Sequence, residues 1–118
     1  MTDIRIDPKV LQSLRLIMEG DFNALIEAYI RDAEEKLRGL RQSLQDNDLT
    51  SLGRAAHSLK GSSSNLGVVT LVELCGHLEA SAREQPLQDG NRLIAELEEV
   101  WQQVRAALLQ EIDSAAAS

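Results

Sequence analysis

Apolar side chains in this chain return every three or four residues through five consecutive segments, and the breaks between segments are short. That spacing brings side chains to one face of an α-helix and does not match the alternation of a strand. The first stripe, Val10, Leu11, Leu14, Ile17 and Met18, follows Asp7-Pro8, an N-cap acceptor ahead of a proline at the first helical position. A second and longer stripe runs from Phe22 through Leu25, Ile26, Tyr29, Ile30, Ala33, Leu37 and Leu40 to Leu44. On its far side Glu27/Arg31 and Glu34/Arg38 are spaced as ion pairs along a solvated face. Asp48 is placed to cap a third helix ending near Leu66, and Gly67 suits the left-handed residue that closes it. Leu71, Leu74, Cys75, Leu78 and Ala82 mark a fourth helix to about Glu84, broken by "QPLQDGN". A fifth starts near Gly90 and carries Leu93, Ile94, Leu97, Val100, Trp101, Val104, Leu108 and Ile112.

Short turns between amphipathic helices lead to antiparallel neighbours. The pattern therefore predicts an all-α protein: an antiparallel four-helix bundle with a short extra N-terminal helix packed across one end or side. At 118 residues the chain suits a single domain, here residues 1–113, with "DSAAAS" supplying a flexible tail over 114–118. All five stripes can be covered within one chain, which predicts a monomer. Met1 and the full set of helices are expected of a freestanding protein rather than a piece of a larger kinase.

Charge narrows the function. The formal net charge is −7, from 19 acidic and 12 basic side chains, and the basic residues are interleaved with acids. Nucleic acid and anionic membranes repel such a surface, so neither is expected as a partner. Cys75 is the single cysteine, so no internal disulfide forms, and the chain shows neither a leader pattern nor a membrane-length apolar run. These features predict a cytoplasmic protein. With two histidines in all, and Glu73 and His77 spaced by four rather than three, no metal site is expected. Cys75 and Trp101 read as core residues.

The third helix is the unusual one. Leu52, Ala56, Leu59, Ser63 and Leu66 share one direction, and His57 points about 140° away from it, toward solvent. Gly53 and Gly61 flank His57 at i−4 and i+4, each costing roughly 0.5–1 kcal/mol relative to alanine in a helix. They leave the imidazole uncovered above and below. Lys60, at i+3, brings an ammonium within reach of any group attached to the ring and disfavours a second positive charge there. An exposed neutral imidazole beside a cation is suited to accepting a phosphoryl group, with the lysine offsetting charge on its oxygens. Of the three serines, Ser64 alone shares the histidine's side, while Ser63 is expected to let helices approach, its hydroxyl bonding a backbone carbonyl. His77 sits among carboxylates and is a poor acceptor. Leu16 points away from its apolar stripe and is a candidate for a docking patch.

The run "HSLKGSSSNLGVVTLVELCGHLE", His57 to Glu79, closely resembles the signature of histidine-containing phosphotransfer (HPt) domains. The resemblance implies that His57 is the phosphorylated histidine, that Lys60 steadies the phosphoryl group and that Gly61 permits docking. It also implies a ring-orienting role for Glu79 and a turn at Gly67. As a family such domains relay phosphate between aspartates of receiver domains, and the partners implied are receivers of response regulators or hybrid sensor kinases. The implied activity is that of a carrier with no kinase activity or nucleotide site of its own. The lack of a G-x-x-x-x-G-K-[ST] loop agrees with that. No cofactor is implied in this chain, and the Mg²⁺ needed for transfer is expected in the partner. The alternative is a helical docking module that binds receivers or a kinase without phosphotransfer.

Overall fold

The computed structural model describes residues 3–84 and 89–117, with side chains described through Ile112. Five α-helices follow one another: α1 (Pro8–Met18), α2 (Phe22–Gln45), α3 (Leu49–Asn65), α4 (Val69–Ala82) and α5 (Gly90–Ala117), with a 3-10 turn at Glu19–Asp21. The caps form where the sequence places them. Asp7 accepts from the Lys9 amide and Asp48 from the Ser51 amide, each satisfying a donor that has no partner inside its helix. Of the break read at "QPLQDGN", residues 85–88 lie outside the described residues, and so does Ser118. The helical backbone of α5 takes in 114–117, assigned above to a tail, in keeping with alanine's high helix propensity.

Helices α2 to α5 form a four-helix bundle in which α2 packs on α3 and α5, and α4 packs on the same two. Cross-helix contacts give the directions. Tyr29 meets Ser63 while α3 starts beside the end of α2, and Arg41 meets Glu98 while Tyr29 meets Trp101. Both pairs are antiparallel. On α3 and α4, Gly53 lies opposite Ala82 and His57 opposite Glu79, antiparallel again. The buried set follows the predicted stripes, from Phe22, Ile26 and Leu40 on α2 to Ile94, Trp101 and Leu108 on α5. No described helix is long and apolar enough to cross a membrane.

Helix α1 lies across the end of the bundle where α3 turns into α4. That turn is a Schellman motif. Val68 N–H donates to the Ser63 carbonyl (2.9 Å), Gly67 N–H to that of Ser64 (3.0 Å), and Gly67 takes the left-handed conformation at φ +72°. A Cβ on Gly67 would stand 2.9 Å from Val10 Cβ and 3.2 Å from Asp7 Cβ, so glycine is required both by its conformation and by the closeness of α1. The residues before α1 strap the turn. Asp7 N–H donates to the Gly67 carbonyl at 2.8 Å, Ile6 bridges Val68, and Arg5 N–H donates to Thr70 Oγ1 at 2.6 Å.

Three expectations are corrected. Ile17 is 75% exposed rather than part of a buried stripe. The buried line of α1 runs through Leu11, and Ile17 lies about 120° around the helix from it. The α2 ion pairs also differ: among the described residues neither Glu27–Arg31 nor Glu34–Arg38 closes. Glu34 instead reaches α5, accepting from Trp101 Nε1 at 3.3 Å and facing Arg105 at 3.3 Å, while Asp32–Lys36 is the pair along α2. Finally, the buried Ser63 hydroxyl bonds Tyr29 Oη at 2.6 Å, not a backbone carbonyl. Ser62 makes the local bond, to the Leu59 carbonyl.

Candidate functional site

Small residues allow α3 and α4 to approach closely. A Cβ on Gly53 would touch Ala82 Cβ at 3.7 Å, Ala56 is fully buried, and Gly76 lies beneath the stem of Lys60, whose Cδ is 4.0 Å from where a Cβ would be. The five inward positions predicted for α3 are all buried, which leaves His57 on the outer surface with its side chain 68% exposed. Gly61 faces open space, with nothing within 4 Å of an added Cβ. The imidazole is bare on the side facing the end of α3, as the flanking glycines predict.

Glu79 organises the site. Its side chain is only 12% exposed and reaches across from α4 to both functional candidates of α3. His57 Nδ1 and Glu79 Oε2 are 2.8 Å apart, and Lys60 Nζ donates to Glu79 Oε1 at 2.6 Å. Arg83, one turn on along α4, comes within 3.5 Å of the same carboxylate. The Lys60 hydrogen bond, with a further one from His57, holds the Glu79 carboxyl below the ordinary carboxylate range against a smaller opposing effect of burial. Glu79 is therefore ionised at neutral pH and accepts only. The ring proton must then sit on Nδ1, which leaves the lone pair of the neutral ring on Nε2, at the opposite side of the imidazole.

Lys60 is thus paired rather than free. The sequence pattern places its ammonium within reach of the ring and of any group attached to it, and in the structure it shares one carboxylate with the ring. The two remain neighbours through that carboxylate.

Of the remaining candidates, Ser64 is exposed two turns along α3 and its hydroxyl makes no hydrogen bond among the described residues. Leu16 is 74% exposed on α1, at the bundle end, beside the equally exposed Ile17. Helix α3 ends eight residues, ~12 Å along its axis, from His57, and α1 packs beyond that end, so the structure does not bring Leu16 into the cluster. His77 is exposed, and its neighbour Glu73 pairs with Arg5. Cys75 is fully buried and its thiol is pushed up to about 12 by burial, so it packs as a small apolar group. Arg83, Arg54 and Gly76 escaped sequence reasoning. The i,i+4 spacing of Glu79 and Arg83 was the one available signal.

Comparison with known proteins agrees with this geometry. The Hpt domain family model matches residues 24–107. The chain is 30% identical over 80 residues to the phosphorelay intermediate protein rdeA of Dictyostelium discoideum, a match covering 68% of this chain. It spans about a third (32%) of that relative's length. The crystal structure of histidine-containing phosphotransfer protein B (HptB) from Pseudomonas aeruginosa PAO1 superposes with a TM-score of 0.87 at 42% identity, covering 90% of this chain and 92% of that one. The HPT domain of a sensor hybrid histidine kinase from Shewanella shares the fold, with a TM-score of 0.75 at 21% identity over 92% and 94% of the two chains. With a bare histidine tied to a carboxylate across two helices of such a bundle, and the family model covering most of its length, this chain belongs to the Hpt domain family.

Proposed function

We propose that the chain is a phosphorelay carrier. His57 takes a phosphoryl group from the phospho-aspartate of a receiver domain and passes it to another receiver in two-component signalling. The observation that carries this reading is the bond between His57 Nδ1 and Glu79, made while most of the ring stays exposed. It commits the proton to Nδ1 and leaves Nε2 as the nucleophile.

The chemistry follows from that arrangement. The Nε2 lone pair attacks phosphorus, the bond from phosphorus to the aspartyl oxygen breaks, and the donor's carboxylate leaves with the electron pair. No proton need move. The product ring carries phosphorus on Nε2 and hydrogen on Nδ1 and is formally cationic, and the Glu79 carboxylate offsets that charge. Lys60, held at the same carboxylate, is within a side-chain rotation of the phosphoryl oxygens. Running the step backward toward a second aspartate uses the same groups, as a relay requires.

Gly53 and Gly61 keep the approach low, and Ser64 and Leu16 extend the docking surface along α3 and at the bundle end. The chain needs no kinase or nucleotide-binding activity, and no cofactor or metal of its own. The Mg²⁺ used in transfer belongs to the receiver. A net charge of −7 disfavours nucleic acid and anionic membranes as partners and suits a cytoplasmic monomer.

The test is direct. Wild type and His57→Gln are incubated with receiver domains charged from acetyl phosphate, and acid-labile label on the chain is followed. Label on wild type and none on the variant is expected. Binding of receivers with no labelling of either protein would leave only a docking module, and equal labelling of both would refute His57 as the acceptor.

A further inference from the structure

A groove of about 620 Å³ opens beside His57 on the side away from Lys60, lined by Thr50, Gly53, Arg54, Ala82 and Arg83 together with the ring and Glu79. Its floor is low because Gly53 and Ala82 carry little or no side chain. Its walls are cationic. Arg54 is exposed and closes no ion pair among the described residues, and Arg83 is 78% exposed and reaches Glu79 only at 3.5 Å. Glu79 itself is taken up by His57 Nδ1 and Lys60 Nζ. In a chain whose net charge is −7, two arginines thus wall the groove beside the ring and Lys60 flanks the ring on its other side. The one carboxylate in the lining, Glu79, is already engaged, and Asp48 lies near Arg54 with its carboxylate bonded to Ser51. The groove of the same size between α2 and α5 also has two arginines, and one of them, Arg38, closes no ion pair among the described residues. Two carboxylates, Glu34 and Glu98, line that groove, however, and Arg41 is bound to Glu98 at 2.5 Å and to Asn91 at 3.0 Å.

We infer that Arg54 and Arg83 form a two-armed clamp for carboxylates on the surface of the protein that exchanges phosphate with His57, and so select acidic docking faces. The inference rests on the proposed function. Length separates this occupant from the phosphoryl group itself. From Thr50 to His57 the groove follows seven residues of α3, ~10 Å, which exceeds the reach of one phosphoryl group on the ring. Guanidinium groups are matched to carboxylates by paired parallel hydrogen bonds, and both are exposed enough to turn outward. They also offset locally the repulsion that the rest of this acidic chain exerts on an acidic partner.

Two donors separate the possibilities. Phosphoramidate charges an accessible imidazole without any protein partner, and a purified receiver domain charged from acetyl phosphate must dock first. For Arg54→Ala, loading from phosphoramidate should match wild type, while the second-order rate of transfer from a receiver that loads wild type falls at low salt, reaching about a tenfold loss in Arg54→Ala/Arg83→Ala. The salt dependence of that rate should flatten, and Arg54→Lys/Arg83→Lys should restore most of it. Loss of loading from both donors together would overturn the clamp, since the arginines would then serve the ring or its phosphoryl group. An unchanged receiver rate would overturn it as well. If wild type loads from phosphoramidate but from no receiver, the proposed relay function fails and the clamp fails with it.

Discussion

Gly61 offers the sharpest test of the idea that this surface gives up stability to stay low. It sits inside α3, one turn beyond His57, and an added Cβ would meet nothing within 4 Å. Gly39 is its control: equally exposed, inside α2, with the same open space and no part in the site. With no clash to subtract, alanine at either position recovers the helix cost of glycine, about 0.5–1 kcal/mol. For a domain of this size that corresponds to a rise in Tm of roughly 2–6 °C. Thermal unfolding followed by circular dichroism should therefore show equal gains for Gly39→Ala and Gly61→Ala, each on a folded, active protein. Function then separates the two sites. On a helix, Cβ atoms four residues apart are about 5–6 Å from each other, so the longer Gly61→Gln side chain overhangs the ring. It should block an arriving receiver, lowering transfer about tenfold, the equivalent of ~1.4 kcal/mol lost from the encounter. Gly39→Gln should leave transfer unchanged, and phosphoramidate should still load both variants. The reasoning fails if Gly61→Ala is less stable than wild type while Gly39→Ala gains, or if Gly61→Gln exchanges phosphate with receivers at the wild-type rate.

Four further outcomes are expected. Gly67→Ala combines a left-handed backbone with a contact at 2.9 Å to Val10 Cβ, so denaturant unfolding should show a loss of about 2–4 kcal/mol. Adding Val10→Gly should recover part of that loss in a double-mutant cycle. Ser63→Ala strands the buried Tyr29 hydroxyl and should cost about 1–3 kcal/mol, with Tyr29→Phe/Ser63→Ala costing less than the sum of the single changes. Because the folded state depresses the Glu79 carboxyl, its contribution to stability is complete above the ordinary value of 4.5 and is lost as pH falls through the lower folded value. Acid unfolding of wild type and Glu79→Gln should therefore converge at the acid end, the variant having lost the Glu79 part of the pH dependence. Phosphoramidate loading of Glu79→Gln, which keeps an acceptor for Nδ1–H, should exceed that of Glu79→Ala.

Most of the bundle was legible in the order of residues, since a helix stripe and its cap are local properties. Asp7-Pro8, Asp48 and Gly67 mark helix ends because their side chains or backbone freedom serve groups only a few positions away. The same locality made His57 visible, because its glycine neighbours lie within one turn. Partners distant along the chain were not visible in this way. Glu34 has an arginine at i+4 yet turns to Trp101 and Arg105, and Ser63 finds Tyr29 34 residues earlier. Ile17 has the right period and the wrong side, since a short helix docked on the end of a bundle buries only the residues that its placement allows.

By itself, then, the sequence determined the helices, their antiparallel order and the exposed face on which His57 stands, because each depends on spacing within a turn or across a short loop. Tertiary structure alone decided that Glu79 crosses from α4 to hold His57 and Lys60 at once, that Arg54 and Arg83 wall one groove, and that residues 5–7 strap the α3–α4 turn. Those contacts join segments up to 65 residues apart, as for Arg5 and Thr70. They are set by the packing of one helix surface against another, which no local period encodes.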